Sequence, residues 1–264
     1  MTLIFLKLGG SLITDKTREQ TARPDVLARL ADEIAQALAA RPDLKLVIGH
    51  GSGSFGHAEA KKYGTRQGVH TPEQWRQFAS VAHIAARLNR RVIDALRAAG
   101  IPAFNCQPSA SVVCRDGLIT DMAIAPISAA VANGLVPVVY GDVAMDEARG
   151  GTIISTEDEF RFIARHLSPT EILLSGIERG VLTRWPDGDV IPLINLGTLE
   201  SVGLVLHGSH AADVTGGMKS KVLEMLAQAQ SMPGLRVRIF SGVEEGTVKR
   251  ALLGETITET VIMA

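Results

Sequence analysis

Cysteine is nearly absent: Cys106 and Cys114 are the only two in 264 residues. Two thiols are too few for a disulfide framework or a cysteine-ligated zinc site, and they suit small apolar positions in a reducing compartment. Aromatic residues make up 4% of the chain, which argues against base-stacking platforms for nucleic acid. Charge of one sign is missing too. Lys and Arg number 27 against 28 Asp and Glu, for a net of −1, so there is no electrostatic footprint for a nucleic-acid partner. No apolar run approaches the about 20 residues of a membrane span. The run ahead of Lys7 is too short for a secretory signal peptide, and the expectation is a soluble cytoplasmic protein. The Walker P-loop and the protein-kinase signatures are absent. A dinucleotide fingerprint fails as well, because Gly49-His-Gly-Ser-Gly53 has the wrong glycine spacing. The chain shows no internal repeat and no low-complexity segment.

What is present is an apolar content of 46%, enough for a substantial core in one large domain or two small ones. Apolar runs at Leu3–Leu8, Leu44–Gly49, Ile101–Cys106, Val136–Tyr140, Thr170–Leu174, Leu235–Ser241 and Thr256–Met263 read as strands. Between them, helical spacing runs from Pro24 to Leu38, from Thr71 (N-cap) and Pro72 to about Ala99, from about Met122 to Asn133, from Glu159 to His166, from Val222 to Gln230 and from Val248 to Leu253. Asp116-Gly117 marks a hairpin, and Gly150-Gly151 reads as the turn of a second one over Val143–Ile154. Strands that alternate with helices predict an α/β fold with a mainly parallel sheet.

Two strands end in glycine loops. Leu3–Leu8 carries Lys7 and runs into Gly9-Gly10-Ser11, with Lys16 shortly after; Leu44–Gly49 runs into Gly51-Ser52-Gly53-Ser54, with His57 just beyond. Glycines let a ligand approach the backbone, and successive free N–H groups at a strand-to-helix turn make an anion cradle. One such loop is weak evidence; two in one α/β chain point to a site for more than one phosphate. A third glycine-rich loop, His207 to Lys221, carries Lys219 and Lys221 at a helix start. There they oppose the helix dipole and suit phosphate better than structure. Its two histidines lack a carboxylate or cysteine at ligand spacing, so no metal site is expected. Gly141-Asp142 and Asp158 are also placed at the carboxyl ends of the strands, where α/β sheets form their ligand crevice. Positive charge without thiol or acid–base chemistry suits phosphoryl transfer.

Lys7-Leu-Gly-Gly-Ser11 with Lys16, His50-Gly-Ser-Gly-Ser-Phe-Gly-His57 with Ala60-Lys-Lys-Tyr63, Gly141-Asp142, Asp213-Val-Thr-Gly-Gly-Met-Lys219 and Ala251-Leu-Leu-Gly254 together resemble the amino acid kinase superfamily. The Ser-Phe-Gly-His57 turn is similar to the branch that phosphorylates isopentenyl phosphate. The resemblance implies a three-layer α/β/α sandwich around an open, mainly parallel sheet, forming one domain over 1–264. An acceptor lobe would span about 1–170 and a nucleotide lobe about 171–264. It implies transfer from ATP to isopentenyl phosphate, giving isopentenyl diphosphate and ADP, with Mg²⁺ arriving on ATP. By this likeness Lys7 and Lys16 stabilise the transferring phosphoryl group, and Gly9, Gly10 and Gly53 lie against ATP. Gly216, Gly217 and Lys219 hold its phosphates. His57 donates to the acceptor phosphate, near Ser52 and Gly53, with Thr156 on the same side, and Asp158 keeps the lysines in place. The resemblance also implies a homodimer through the Thr71–Ala99 helix.

The chain departs from the family pattern at Gly51-Ser-Gly53, at Ser155-Thr-Glu-Asp158 and at Gly176-Ile-Glu-Arg-Gly180, where an aspartate near the nucleotide is lost. An apolar slot for the acceptor's tail is expected around Phe78, Val81 and Ile84. A polar slot would favour a small phosphonate such as fosfomycin, and loss of a lysine would favour a nucleotide-binding subunit without turnover.

Overall fold

In the computed structural model, residues 2–56, 64–199 and 217–264 are described. The central element is β1 (Thr2–Leu8), buried along most of its length. It pairs in parallel with β2 (Leu44–His50) on one side and β9 (Glu171–Gly176) on the other. The sheet extends past β2 through β6 (Val136–Tyr140) to β3 (Ala103–Asn105), and past β9 through β11 (Arg236–Ser241) and β12 (Glu259–Ile262) to β10 (Leu193–Ile194). All of its pairings are parallel except β11 with β12. The α/β class with a mainly parallel sheet is therefore as expected. Because the chain leaves β1 toward β2 and later returns on its other side as β9, the order switches at the carboxyl end of β1. Open α/β sheets bind ligands at such a point.

Alternation along β1 sends Ile4, Leu6 and Leu8 into one core layer and Leu3 and Phe5 into the other. Ile4, Leu6 and Leu8 meet α2 (Pro24–Ala40) and α3 (Pro72–Ala98), with α7 (Thr247–Leu253) beyond; Leu3 and Phe5 meet α5 (Thr156–Leu167), with α4 (Ile124–Ala132) and α6 (Gly217–Ser231) in the same layer. A short helical turn α1 (Gly10–Ile13) follows β1 directly. Thr71 and Gln74 close a capping box at the start of α3, as the Thr-Pro start signalled.

A second, four-stranded sheet, β5 (Leu118–Met122), β4 (Val112–Arg115), β7 (Asp142–Asp146) and β8 (Gly150–Ile154), covers part of α3. The Asp116-Gly117 hairpin forms as expected. The second hairpin turns earlier than Gly150-Gly151, over 147–149, because the Asp146 carboxylate gathers the N–H groups of Ala148 and Arg149 and, across the sheet, those of Asp116 and Gly117. Burial pushes the Asp146 carboxyl up, but these donors outweigh it and hold its pKa below the ordinary value.

Besides α6, which opens at Gly217 rather than at Val222, two helix starts differ from expectation by two residues or more. Met122 ends β5 and α4 begins at Ile124, whereas α5 begins three residues early, at Thr156. The second shift has a plain cause: Ser155 accepts from the Asp158 N–H, and Asp158 accepts from Ser155, a capping box that starts the helix at once.

Candidate active site

The carboxyl ends of β1 and β2 bring the two glycine loops into backbone contact. Gly51 N–H donates to Leu8 O, and Gly9 N–H donates to Ser175 O at the end of β9. A Cβ on Gly10 would lie 2.6 Å from Gly53 Cα, and one on Gly53, at φ +49°, would lie 2.5 Å from Gly10 O. No side chain fits between the loops, so glycine at both positions is a packing demand. Thr14 pins them further: its hydroxyl donates to Gly10 O and accepts from Ser54 N–H. The backbone N–H groups of Gly10, Ser11, Ser52 and Gly53 find no acceptor among the described residues, so this junction offers a set of donors for anions.

Lys7 points to the same face of β1 as Phe5. Phe5 packs on Phe160 of α5, ring centroids 5.1 Å apart; one turn earlier on α5, the Glu157 carboxylate forms an ion pair with the Lys7 ammonium. Both side chains are largely buried, 13% and 6% exposed. Burial pushes the Glu157 carboxyl up, but Lys7 and then Lys221 of α6 outweigh it and hold it below its ordinary value. Glu157 is a site residue that sequence reasoning did not select. The period-2 face of β1 and the i, i+3 relation of Glu157 to Phe160 were the signal that could have found it.

Asp158, expected to keep the lysines in place, closes the α5 cap with Ser155 and pairs with Arg161 at 2.5 Å. Thr156 is also turned inward: it is 1% exposed and donates to His50 O at 2.7 Å, so its hydroxyl serves the β2 backbone. Gly49 has no room for a side chain beside Phe160, whose Cζ would be 2.8 Å from a Cβ. Asp142 is buried as well. Burial raises its pKa, while it accepts from the Ser109 and Val143 N–H groups and thereby turns the chain from β6 into β7.

Lys16 is exposed on the turn after α1, where Asp15 accepts from the Thr17 N–H and hydroxyl. Ser52 places its hydroxyl against Gly56, within 2.5 Å of a Cβ built there. Gly217 opens α6. His57, Gly216 and the Lys219 side chain lie outside the described residues. Phe78 and Val81 form an apolar cluster with Val69 and Val143, flanked by Ala82 and Ile153. Ile84 belongs to the core layer of Ile4, Leu6 and Leu8, so it does not join them. The junction thus joins a buried lysine to a set of free amides, which suits anions, and the apolar cluster lies where α3 meets β7.

The amino acid kinase family model matches residues 2–241. The chain belongs to the amino acid kinase family. Among its relatives, isopentenyl phosphate kinase of Methanothermobacter thermautotrophicus is 38% identical, with 98% of each chain covered. The Methanocaldococcus jannaschii enzyme of the same name is 35% identical, with 96% of each covered. A solved structure described as "X-ray structures of isopentenyl phosphate kinase" matches with a TM-score of 0.83 at 34% identity, covering 99% of this chain and 100% of that one. Carbamate kinase from Giardia lamblia shares the fold, with a TM-score of 0.72 at 15% identity over 99% of this chain and 98% of that one. The family places this chain among ATP-dependent kinases. Among the described residues no helix is long and apolar enough to cross a membrane, and no group of His, Cys, Asp and Glu side chains could hold a metal ion.

Proposed function

We propose that the chain transfers the γ-phosphoryl group of ATP to the phosphate of isopentenyl phosphate, giving isopentenyl diphosphate and ADP. The observation that carries this reading is the backbone contact between the Gly9-Gly10 and Gly51-Ser-Gly53 loops, beside Lys7. It offers amides to two anions at once, and near-full-length relatives at 35–38% identity bear the corresponding name. Bringing two phosphates together costs several kcal/mol unless cations screen them; in this reading Lys7 and Lys16 do so, with Lys219 and His57 added by likeness.

An acceptor phosphate has its second pKa near about 6, so its attacking oxygen is already ionised near neutral pH and needs no general base. His57 then serves as a hydrogen-bond donor to the non-reacting oxygens. The apolar cluster of Val69, Phe78, Val81 and Val143 is where the hydrocarbon tail would lie. The carboxylates at the start of α5 are paired, Glu157 with Lys7 and Asp158 with Arg161. Mg²⁺ would arrive on the ATP phosphates and neutralise part of their charge. The reading carries with it an acceptor lobe over about 1–170, a nucleotide lobe over about 171–264, and a homodimer. The free thiols Cys106 and Cys114 suit a reducing cytoplasm.

The test is ADP release with Mg-ATP and a panel of isopentenyl phosphate, dimethylallyl phosphate, fosfomycin, glutamate and uridylate. Turnover confined to the first two supports the reading. Silence with both and turnover of another member moves the function to that acceptor.

A further inference from the structure

His50 ends β2 and is 1% exposed, yet it is polar and lies directly behind the acceptor loop. Its ring stacks on Tyr140 of the neighbouring strand, centroids 5.4 Å apart and planes 6° from parallel. Its Nδ1 lies 3.2 Å from Gly51 O and its Nε2 3.2 Å from Asn89 Oδ1. Asn89, buried on α3, is bonded in turn to Asn105 of the edge strand β3 at 2.6 Å. A relay of polar side chains from three separate elements, buried at His50 and Asn89 and reaching the surface at Asn105, thus ends on one peptide carbonyl.

That carbonyl decides where the loop's donors point. The backbone ahead of it is already tied: His50 O accepts from the Thr156 hydroxyl and Gly141 N–H, and Gly51 N–H donates to Leu8 O. The Gly51 carbonyl is drawn toward the His50 ring. In a trans peptide the C=O and the following N–H point in opposite directions. Anchoring Gly51 O inward therefore turns the Ser52 N–H outward, and Ser52 N–H is the first donor in the loop with no acceptor among the described residues.

We propose that His50, held by Asn89 and Asn105, is a positioning residue that aims the Ser52 amide at the acceptor phosphate. The inference rests on the acceptor-site reading above and deepens it. Burial first, and then Lys7, push the His50 pKa down to about 4, so the ring is neutral and carries one N–H. With the proton on Nδ1 it donates to Gly51 O, and Nε2 accepts. End-for-end rotation of the Asn89 and Asn105 amides then gives an unbroken chain of donors, from Asn105 to Asn89, to His50, to Gly51.

The test is steady-state kinetics on the full-length protein with Mg-ATP and isopentenyl phosphate, varying each substrate in turn. His50→Leu removes the donor at similar volume. It should raise KM for the acceptor about tenfold, the loss of one hydrogen bond to a charged group, while KM for ATP stays within about twofold. His50→Gln restores an N–H within reach of Gly51 O and should recover part of the loss. Asn89→Leu, which leaves the histidine in place, should shift the same constant in the same direction by less. A lower Tm with both KM values intact, equal rises in both, or a glutamine variant no better than leucine would overturn the proposal. If His50→Leu does not fold, the selectivity of Asn89→Leu decides alone. Should the wild type use another phosphate from the panel, the substrate reading falls, and the same comparison with that acceptor still decides the role of His50.

Discussion

The Lys7 ammonium and the Glu157 carboxylate form an ion pair across the junction of β1 and α5, each largely out of solvent. Removing one partner leaves the other charge buried and uncompensated, which costs more than the pair contributes. Glu157→Gln should therefore lower stability by roughly 3 kcal/mol and, on the proposed reading, let Lys7 drift from the phosphoryl group it would stabilise. We expect kcat to fall more than KM rises, because charge on that group peaks in the transition state. Glu157→Asp keeps the charge on a shorter arm and should recover part of kcat. Chemical denaturation and initial rates together check this; an unchanged kcat in Glu157→Gln removes the pair from the chemistry.

The contact between Gly10 and Gly53 gives the next expectation. In Gly10→Ala the new methyl would lie 2.6 Å from Gly53 Cα, with backbone rather than a movable side chain in the way. Forcing the loops apart should cost roughly 1–3 kcal/mol and nearly all turnover. Gly100→Ala is the control. Gly100 has φ +80° but nothing within 4 Å of a Cβ, so strain alone should cost about 1 kcal/mol and leave activity intact. If Gly10→Ala is as active as Gly100→Ala, the loops do not need their contact for catalysis.

Much of this was legible in the chain. Strands and helices announced themselves through periodicity, Pro24 and Thr71-Pro72 marked helix starts, and the glycine loops fell at strand ends as expected. What escaped was long-range pairing among acidic neighbours. Glu157, Asp158 and Glu159 are consecutive, and only the angle at which α5 meets β1 decides which of them faces Lys7. The capping box at Ser155 claims Asp158, a local competition the spacing did contain. The partner of the Thr156 hydroxyl was not legible either, because it is His50 O, 106 positions away in sequence. The apolar stripe of α3 was legible, but not that its successive turns serve different cores: Phe78 and Val81 face one cluster and Ile84 another.

Glu159 is 0% exposed, and neither carboxylate oxygen has a hydrogen-bond partner among the described residues. Burial raises its pKa well above the ordinary 4.5, and the charges of Asp142, Asp158 and Glu157 raise it further. A raised folded-state pKa means the folded protein holds this proton when the unfolded chain has lost it. The associated stability is complete below about pH 4.5 and is lost as pH rises toward the folded-state value. Glu159→Met replaces the carboxyl with an apolar chain of similar length and should stabilise by about 1 kcal/mol or more at pH 8. The gain should shrink toward pH 4.5. Thermal melts of both proteins across that range check the sign; a variant less stable than wild type at pH 8 would mean the carboxyl has a partner worth keeping.

Lys16, proposed above to screen the phosphates, separates chemistry from folding. It is exposed on the turn after α1 and makes no hydrogen bond or ion pair among the described residues, so truncating it removes no packing and breaks no structural contact. Lys16→Ala should leave Tm within about 1 °C of wild type, as a surface change away from structural features does. If its ammonium meets the phosphoryl group as charge develops there, kcat should fall about 100-fold or more, with KM for either substrate changed much less. Arginine at this position keeps the charge but not the compact point geometry of an ammonium, and should restore only part of the rate. A loss confined to KM would place Lys16 in substrate capture rather than in the transfer step, and a wild-type kcat would leave Lys7 and the cations of the α6 start to carry the charge without it.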